Sequence, residues 1–387
     1  MKETASRTKV IVGILAASAT LASFNCLMPL LAEIQASFPE QSVSRVQMVY
    51  TLISLIAVPV MLLSGSATRV LSKKSLISIG LVALLIGGVL PVFVHGAFWV
   101  LYLSSLLIGA GTGIMNVISS ALISDHFHGI DKGRVMGLQS IALSLAAALL
   151  SMLSGEIAKV SHWSRSYLLF LIAAPILVVF LCFMPADERT PVQPPAKQVY
   201  NRSLLVMVAL TFFWNLLYTS FQTNVAMFIA ETGYGDTAFS GLVSAVFMLI
   251  GIPCGLFIGA MIRLMRSRIL AISVLVAGAG MLCTAFSAGP ALVLIGSLLV
   301  GAAFGTYGPA AITAAATMVP PESAAAGIAI ANSFGQLGRF LSPHALNALS
   351  NVFGGGFRMV FLVGGVGLLI LGVIYLLVNP VRDEDLL

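Results

Sequence analysis

The chain has 387 residues, of which 59% are hydrophobic and only 9% are charged. A soluble domain usually carries about 25% charged residues, so this composition excludes an ordinary soluble domain and predicts a helical membrane protein. The formal net charge of +6 would also suit a nucleic-acid-binding protein. The basic residues, however, lie in the short breaks between apolar runs, and we expect no nucleic acid partner.

Apolar runs of about 20 residues, the length that crosses a bilayer as a helix, recur along the whole chain. They predict twelve transmembrane helices, over residues 10–33, 46–68, 75–95, 98–123, 134–158, 166–185, 203–230, 238–262, 268–287, 290–318, 323–350 and 358–379. A β-barrel would show period-two alternation in pieces of about ten residues. The runs in this chain are longer and rich in Ala, Leu and Gly.

The positive charges alternate in density from one break to the next. With the N-terminus inside, fifteen of the twenty Lys and Arg residues fall on the cytoplasmic side, whereas only Arg45, Lys159, Arg165 and Arg358 fall outside. This asymmetry is the positive-inside pattern. It predicts that both termini are cytoplasmic and that the protein is a multi-pass protein of the cytoplasmic (inner) membrane.

A charged, proline-rich stretch divides the helices into two sets of six, and the two sets resemble each other. The predicted domains are therefore residues 1–185, a cytoplasmic linker over 186–202, and residues 203–387. The segment Ser105-Leu-Leu-Ile-Gly109 in the fourth helix is similar to Ser297-Leu-Leu-Val-Gly301 in the tenth helix, 192 residues later. Duplicated six-helix halves are typical of secondary transporters, whose substrate binds between the halves near the middle of the membrane.

The break after the second helix carries a recognisable motif. It reads Gly65-x-x-x-Arg69-x-x-x-Lys73-Lys74, and its repeat copy carries Gly259, Arg263 and Arg268. This stretch is similar to the loop motif of the major facilitator superfamily, as is the arrangement of six plus six helices about a charged linker. The resemblance implies an all-α membrane protein with two pseudo-symmetric halves, in which these loop residues take part in gating by alternating access.

The chain departs from that family pattern at several positions. Arg69 and Arg263 stand where the family has an acid that latches the cytoplasmic side, although Gly65 and Gly259 would still permit close helix packing. Ser105 stands where drug/proton antiporters often have an arginine, and the fifth helix lacks their Gly-Pro pair. These departures argue against a typical proton-driven drug exporter.

The eleventh helix carries an arginine near its middle. Arg339 lies about 25 Å from the predicted cytoplasmic end of that helix at 1.5 Å per residue, and Asn332 and Gln336 share its face at helical spacing. A charge at membrane depth costs a few kcal/mol, and it usually faces a water-filled cavity and serves a function. Arg339 therefore predicts a binding site for an anionic group; the alternative is a structural arginine bonded to helix carbonyls.

Other polar and aromatic residues on the helices that line the family's central cavity complete the predicted substrate site. They are Asn25, Asn116, Gln139, Asn215, Tyr218, Gln222, Trp214 and Tyr307. Each also has a simpler interpretation, because an isolated polar residue in a membrane helix often only bonds a neighbouring helix. The glycines of the fourth helix, including Gly109 and Gly113, are interpreted as close-packing positions.

Side chains that could couple transport to proton movement are scarce, because no Asp or Glu lies near the centre of any predicted helix. Glu33 and His344 are the candidates for proton coupling. The four cysteines fall inside predicted spans and suggest neither disulfides nor a metal site. We find no Walker motif and no nucleophile–base spacing, so we expect neither an enzyme nor a cofactor.

The sequence thus predicts a monomeric secondary transporter, a symporter or an antiporter, that carries a small organic anion, most simply a carboxylate, with a proton or a counter-anion as its coupling ion. Two alternatives remain open. One is an exporter of amphipathic drugs or toxic compounds in which Arg339 is structural. The other is a membrane receptor that binds ligand on a transporter fold without carrying it.

Overall fold

The computed structural model describes residues 2–68, 70–127, 129–184, 201–320, 324–379 and 381. Nearly all of them are helical, because inside a bilayer no water is present to bond the backbone and a helix satisfies its own amides and carbonyls. The twelve helical segments are α1 (Lys2–Ala19, Thr20–Leu30 and Leu31–Ser37), α2 (Val43–Ala67), α3 (Lys73–Phe93), α4 (Phe98–His126), α5 (Gly129–Val160), α6 (Trp163–Ile172 and Ala173–Phe183), α7 (Arg202–Thr232), α8 (Thr237–Leu249, Gly251–Leu256 and Ile258–Met265), α9 (Arg266–Arg268 and Ile269–Ala285), α10 (Pro290–Thr317), α11 (Ala324–Val352) and α12 (Phe357–Val378).

Eleven stretches among the described residues are long and apolar enough to cross a membrane, and they match every predicted span but the eleventh. The exception is α11, which is fully helical but carries Asn332, Gln336, Arg339 and His344 along its length. These side chains lower its hydropathy below that of its neighbours. The prediction of an all-helical membrane protein is confirmed.

The chain folds as two compact units. The first comprises Met1–Gln41 and Met48–Gln193, and the second comprises Ser42–Gln47 and Pro194–Leu387. The predicted linker over 186–202 lies almost entirely outside the described residues. The short segment Ser42–Gln47 groups with the second unit, where Gln47 Nε2 donates to Asn224 Oδ1 at 2.7 Å.

One prediction of helix continuity is wrong. The sequence predicts a single helix over 238–262, but α8 is interrupted at Ile250 and at Phe257. Pro253 lies between the two interruptions, and proline has no N–H to continue the hydrogen-bond ladder. The surrounding glycines weaken the helix further, because glycine loses more conformational entropy than other residues when it is ordered.

The first helix is also irregular, since its Thr20–Leu30 stretch is a 3₁₀ helix that contains Pro29. The missing N–H of Pro29 leaves carbonyls upstream without their usual donor. Two serines of α5 supply hydroxyl donors instead: Ser151 bonds the carbonyl oxygen of Asn25 at 3.1 Å and Ser154 bonds that of Cys26 at 2.7 Å. The irregular backbone is therefore stabilised by the helix that packs on it.

The internal repeat recurs as the same atomic contact in both units. In the first unit, Ser105 Oγ of α4 donates to the Val49 carbonyl oxygen of α2 at 2.6 Å. In the second, Ser297 Oγ of α10 donates to the Val243 carbonyl oxygen of α8 at 2.7 Å. A hydroxyl that reaches a backbone oxygen of another helix requires the two backbones to lie close together.

Glycines one turn further along provide that close approach. A Cβ added to Gly109 would lie 2.8 Å from the Ile53 carbonyl oxygen, and one added to Gly301 would lie 2.4 Å from that of Phe247. Both distances are shorter than any tolerable contact with backbone. The interpretation of the α4 glycines as close-packing positions is confirmed. At Gly65 and Gly259 no described atom lies within 4 Å of an added Cβ, so neither glycine makes a close helix contact in the part of the chain that the structure describes.

We expect Gly109→Ala and Gly301→Ala each to lower the free energy of unfolding by about 1–3 kcal/mol, the usual cost of overpacking. Gly137→Ala is the matched control, because its added methyl group meets open space and should stabilise the helix by about 0.5–1 kcal/mol. Thermal unfolding of the purified proteins in one detergent measures all three. Equal stability of Gly109→Ala and Gly137→Ala would contradict the close-packing account.

Candidate functional site

A cavity of about 230 Å³ lies inside the second unit, among α7, α10 and α11. Its lining residues are Thr211, Trp214, Asn215, Phe304, Tyr307, Gly308, Ala311, Ile312, Ala315, Ile328, Ala331, Asn332 and Arg339. Most of this lining is apolar or aromatic, with a few polar groups. Arg339 is the one charged side chain among the described residues that line the cavity.

Arg339 is half-buried on α11 and is held by Tyr218 of α7. Its Nη2 donates a hydrogen bond to the Tyr218 hydroxyl, and its guanidinium carbon lies 5.7 Å from the centre of the Tyr218 ring. Its Nε is buried with no acceptor, and within the described part of the chain no carboxylate forms an ion pair with it. The guanidinium therefore keeps hydrogen-bonding capacity that the protein does not use.

Close packing of α11 on α7 places Arg339 at this position. A Cβ added to Gly338 would lie 2.4 Å from the Phe212 carbonyl oxygen, and one added to Gly335 would lie 2.8 Å from Asn215 Nδ2. Larger residues at these two glycines would separate the helices. The separation would move the guanidinium away from Tyr218.

Aromatic rings form a continuous wall beside the arginine. Trp214 stacks on Tyr218 with ring centres 5.0 Å apart and on Tyr307 with centres 4.3 Å apart, and both pairs are within 22° of parallel. Tyr218 also stacks on Phe304 at 5.5 Å. Stacking covers these ring faces with one another, so the wall is a closely packed apolar surface beside the arginine.

Hydrogen bonds fix the far end of this wall. The Tyr307 hydroxyl lies 2.7 Å from the Tyr375 hydroxyl of α12 and 3.2 Å from Thr211 Oγ1 of α7. Tyr307 is 2% exposed. Because its polar atom is bonded inside the unit, Tyr307 borders the cavity mainly with apolar ring atoms.

The structure brings together some of the predicted site residues and separates others. Five of them line the cavity, namely Trp214, Asn215, Tyr307, Asn332 and Arg339, and Tyr218 bonds the arginine. Gln336 and Gln222 do not line it. Each has its Oε1 buried without a donor, although both share a helix face with lining residues.

Three predicted residues belong to the first unit, and two of them have side-chain partners there. Asn25 donates to the Ala22 carbonyl oxygen and accepts from the Tyr50 hydroxyl at 3.3 Å. Gln139 donates to Ser18 Oγ at 2.7 Å, and Asn116 has an exposed side chain. Interhelical hydrogen bonding, the simpler interpretation, describes Asn25 and Gln139 within this unit.

Residues that the sequence reasoning missed also line or support the cavity. Thr211 precedes Asn215 by four residues and Tyr218 by seven, so the helical spacing already placed it on the same stripe of α7. Phe304 lies one turn before Tyr307 on α10. Tyr375 carried no comparable signal, because its role depends on which face of α12 meets α10.

The predicted gating loops show one defined ion pair. Lys73, at the start of α3, is bonded to Asp125 near the end of α4, and the Lys73 side chain is 6% exposed. Lys74 donates to the carbonyl oxygens of Leu181 and Met184 at the end of α6. Arg69 lies outside the described residues, and Arg263 and Arg268 are exposed.

The proton-coupling candidates lie in different environments. Glu33 is half-buried in the first unit and interacts electrostatically with His162. His344 is exposed on α11. The described residues contain no group of three or more His, Cys, Asp or Glu side chains that is arranged to hold a metal ion.

Comparison with known proteins supports the fold. The family model described as Major Facilitator Superfamily matches residues 12–343 and 232–386. No curated protein matches the chain in sequence.

Several solved structures share the architecture. A bacterial homologue of the human lysosomal transporter Spinster, in an inward-facing and unoccupied conformation, superposes with a TM-score of 0.77 at 12% identity over 99% of this chain and 98% of that one. A POT family transporter in complex with a thioalcohol-conjugated peptide superposes with a TM-score of 0.80 at 12% identity, over 97% of this chain and 96% of that one. The nucleoside transporter NupG superposes with a TM-score of 0.77 at 15% identity, over 95% of this chain and 99% of that one. At such low identity the likeness concerns the fold alone.

The Lys73–Asp125 pair should be energetically coupled. We expect Asp125→Asn to destabilise the protein by about 1–3 kcal/mol, because it leaves a buried ammonium without its charged partner. The double variant Lys73→Met/Asp125→Asn should recover part of this loss. As a control, Arg134→Gln removes an exposed pair at 3.8 Å and should change stability by less than about 0.5 kcal/mol. Strictly additive effects of the two substitutions would exclude coupling.

The His162 side chain should make the first unit sensitive to acid. Its Nδ1 accepts a hydrogen bond from the Ser164 amide at the start of α6, which an imidazolium cannot do. Partial burial and the positive charges of His95 and Arg165 lower the pKa of His162 from 6.5, against an opposing effect of Glu33. Because the folded state binds the proton more weakly, this contribution to stability is complete above pH 6.5 and is lost as the pH falls.

Thermal unfolding between about pH 7.5 and about pH 5.5 tests this account, since that interval spans the ordinary histidine pKa. We expect the wild type to lose more stability across it than His162→Asn, because asparagine caps a helix without titrating. His344→Asn is the control and should follow the wild type. Parallel curves for the wild type and His162→Asn would refute the assignment.

Proposed function

Because this chain belongs to the major facilitator superfamily, we propose that it is a secondary transporter that carries a small organic anion across the cytoplasmic membrane by alternating access. The observation that carries this proposal is the Arg339 guanidinium, which faces the cavity with Nε unbonded and with a phenol rather than a carboxylate as its partner. A charge at this depth is too costly to be retained without a function.

The chemistry of the guanidinium favours an oxyanion. Its planar fork of N–H groups matches a carboxylate with two parallel hydrogen bonds. The hydrogen bond to Tyr218 occupies Nη2 and fixes the orientation of the group, while the buried Nε still lacks an acceptor. A substrate carboxylate would pair the charge of this guanidinium, which no described carboxylate of the protein does.

The rest of the cavity favours an apolar body on that anion. The stacked rings of Trp214, Tyr218 and Tyr307 supply an apolar wall next to the arginine. Asn215 and Asn332 are the amide side chains that line the cavity, and they can bond further polar atoms of the substrate. A monocarboxylate with an aromatic or branched aliphatic group satisfies both parts of the cavity.

Further parts of the proposal concern topology and coupling. Both termini are cytoplasmic, the protein acts as a monomer, and a proton or a counter-anion drives transport. The positive-inside asymmetry supports the orientation. Glu33 is the preferred proton carrier over His344, because it is half-buried and interacts with a titratable histidine, whereas His344 is exposed.

A second function, export of amphipathic compounds, has one observation in its favour. Apart from Arg339 and a few amides and hydroxyls, the described cavity lining is apolar or aromatic. An apolar pocket discriminates only weakly among molecules of similar shape. In that case Arg339 would serve to hold α11 against α7 through Tyr218.

Arg339→Gln should separate the two functions. A charge-assisted hydrogen bond contributes about 1.5–3 kcal/mol, so the variant should bind an aromatic carboxylate about tenfold or more weakly. Arg339→Lys should show an intermediate loss, because an ammonium keeps the charge but not the planar fork. Binding is measured by ligand-induced thermal stabilisation, with each carboxylate compared with its uncharged amide, and transport by counterflow in proteoliposomes.

Arg134→Gln serves as the matched control, since it removes an exposed arginine of the first unit and should bind and transport as the wild type does. Stabilisation by carboxylates but not by amides, with loss of this preference in Arg339→Gln, supports the organic anion. The organic-anion proposal would be contradicted if amides, carboxylates and amphipathic cations stabilised the protein equally and Arg339→Gln changed nothing. That outcome would favour the exporter.

A further inference from the structure

A second cavity, of about 580 Å³, opens along the outside of the second unit between α7 and α12. Its lining is apolar throughout, except for Arg202 at one end. Two small residues give it depth, Ala209 on α7 and Gly367 on α12. A Cβ added to Gly367 would lie 3.0 Å from Leu217 Cδ2, so larger residues at these positions would fill the groove.

The groove runs along the helices rather than across them. Its α7 residues recur every three or four positions from Arg202 to Leu217, and its α12 residues do so from Gly367 to Val378. At 1.5 Å per residue the α7 side is about 22 Å long. One leaflet of the hydrocarbon core is about 15 Å thick, so the groove extends from the membrane interface past the depth of a whole leaflet. An extended acyl chain has the shape that such a groove accepts.

Charge identifies the kind of lipid. Arg202 is exposed, and no described carboxylate forms an ion pair with it. It is the first residue of α7, where a cation is opposed rather than stabilised by the helix dipole. The inference rests here on the proposed topology, in which this end of α7 lies at the cytoplasmic leaflet. Anionic lipids of that leaflet attract basic residues at the surface.

We propose that this groove binds an anionic phospholipid, with one acyl chain between α7 and α12 and its phosphate group on Arg202. The site is separate from the cavity at Arg339, and it does not depend on which substrate that cavity takes. Its occupant adds apolar surface against both helices. Bound lipid therefore stabilises the folded second unit.

Native mass spectrometry and thermal unfolding of the purified full chain test the proposal, with phosphatidylglycerol, phosphatidylcholine of the same acyl chains and inorganic phosphate as probes. An arginine at the membrane surface strengthens binding of an anionic lipid by about fivefold. We therefore expect about fivefold more bound phosphatidylglycerol than phosphatidylcholine, a higher unfolding temperature with phosphatidylglycerol, and no effect of inorganic phosphate.

Two variants and two matched controls locate the site. Arg202→Gln should abolish the preference for phosphatidylglycerol, whereas Arg134→Gln, at another exposed arginine, should keep it. Ala209→Phe fills the groove and should reduce retention of both lipids, whereas Leu205→Phe, at a position on α7 that does not line the groove, should not. Equal binding of the two lipids by the wild type, an unchanged preference in Arg202→Gln, or stabilisation by inorganic phosphate alone would each overturn the proposal.

Discussion

Inside a bilayer every backbone amide and carbonyl must find a partner within the protein, and the architecture follows from this requirement. Most of the chain meets it with regular helix. Where Pro29 interrupts the ladder of α1, serines of α5 bond the freed carbonyls. Where Pro91 does so in α3, Ser104 of α4 donates to the Gly87 carbonyl oxygen at 2.6 Å. In both cases a hydroxyl of the neighbouring helix bonds the freed carbonyl, and the bond also joins the two helices.

The two units share this scaffold but differ in what they build on it. The serine and glycine contacts that α4 makes with α2 recur between α10 and α8. In both pairs the serine hydroxyl donates to a backbone carbonyl oxygen at the corresponding position of the repeat. The stacked aromatic wall does not recur. At the repeat offset of 197 residues, α1 carries Ala17 and Leu21 where α7 carries Trp214 and Tyr218. The two units therefore share these packing contacts, while the residues of the candidate site lie in the second unit.

Composition and periodicity were sufficient to predict the helices, because membrane spans are defined by length and hydropathy. Helical spacing also placed Arg339 and Asn332 together on one face. It could not show that Gln336, on the same stripe, would turn away from the cavity, or that Tyr218 would be the partner of Arg339. Those outcomes depend on how closely α11 approaches α7. Likewise, α8 is interrupted because Pro253 and its neighbouring glycines weaken the helical hydrogen bonds, and a hydropathy value contains no information on this effect.

The 3₁₀ geometry of Thr20–Leu30 has a mechanical consequence. A 3₁₀ helix rises about 2.0 Å per residue and an α-helix about 1.5 Å, so these 11 residues make α1 about 5 Å longer than a regular α-helix of the same sequence. Rewinding this stretch would shorten the helix and turn its two ends relative to each other. The extra length of α1 therefore depends on Pro29 and on the hydrogen bonds from α5 that stabilise its 3₁₀ stretch.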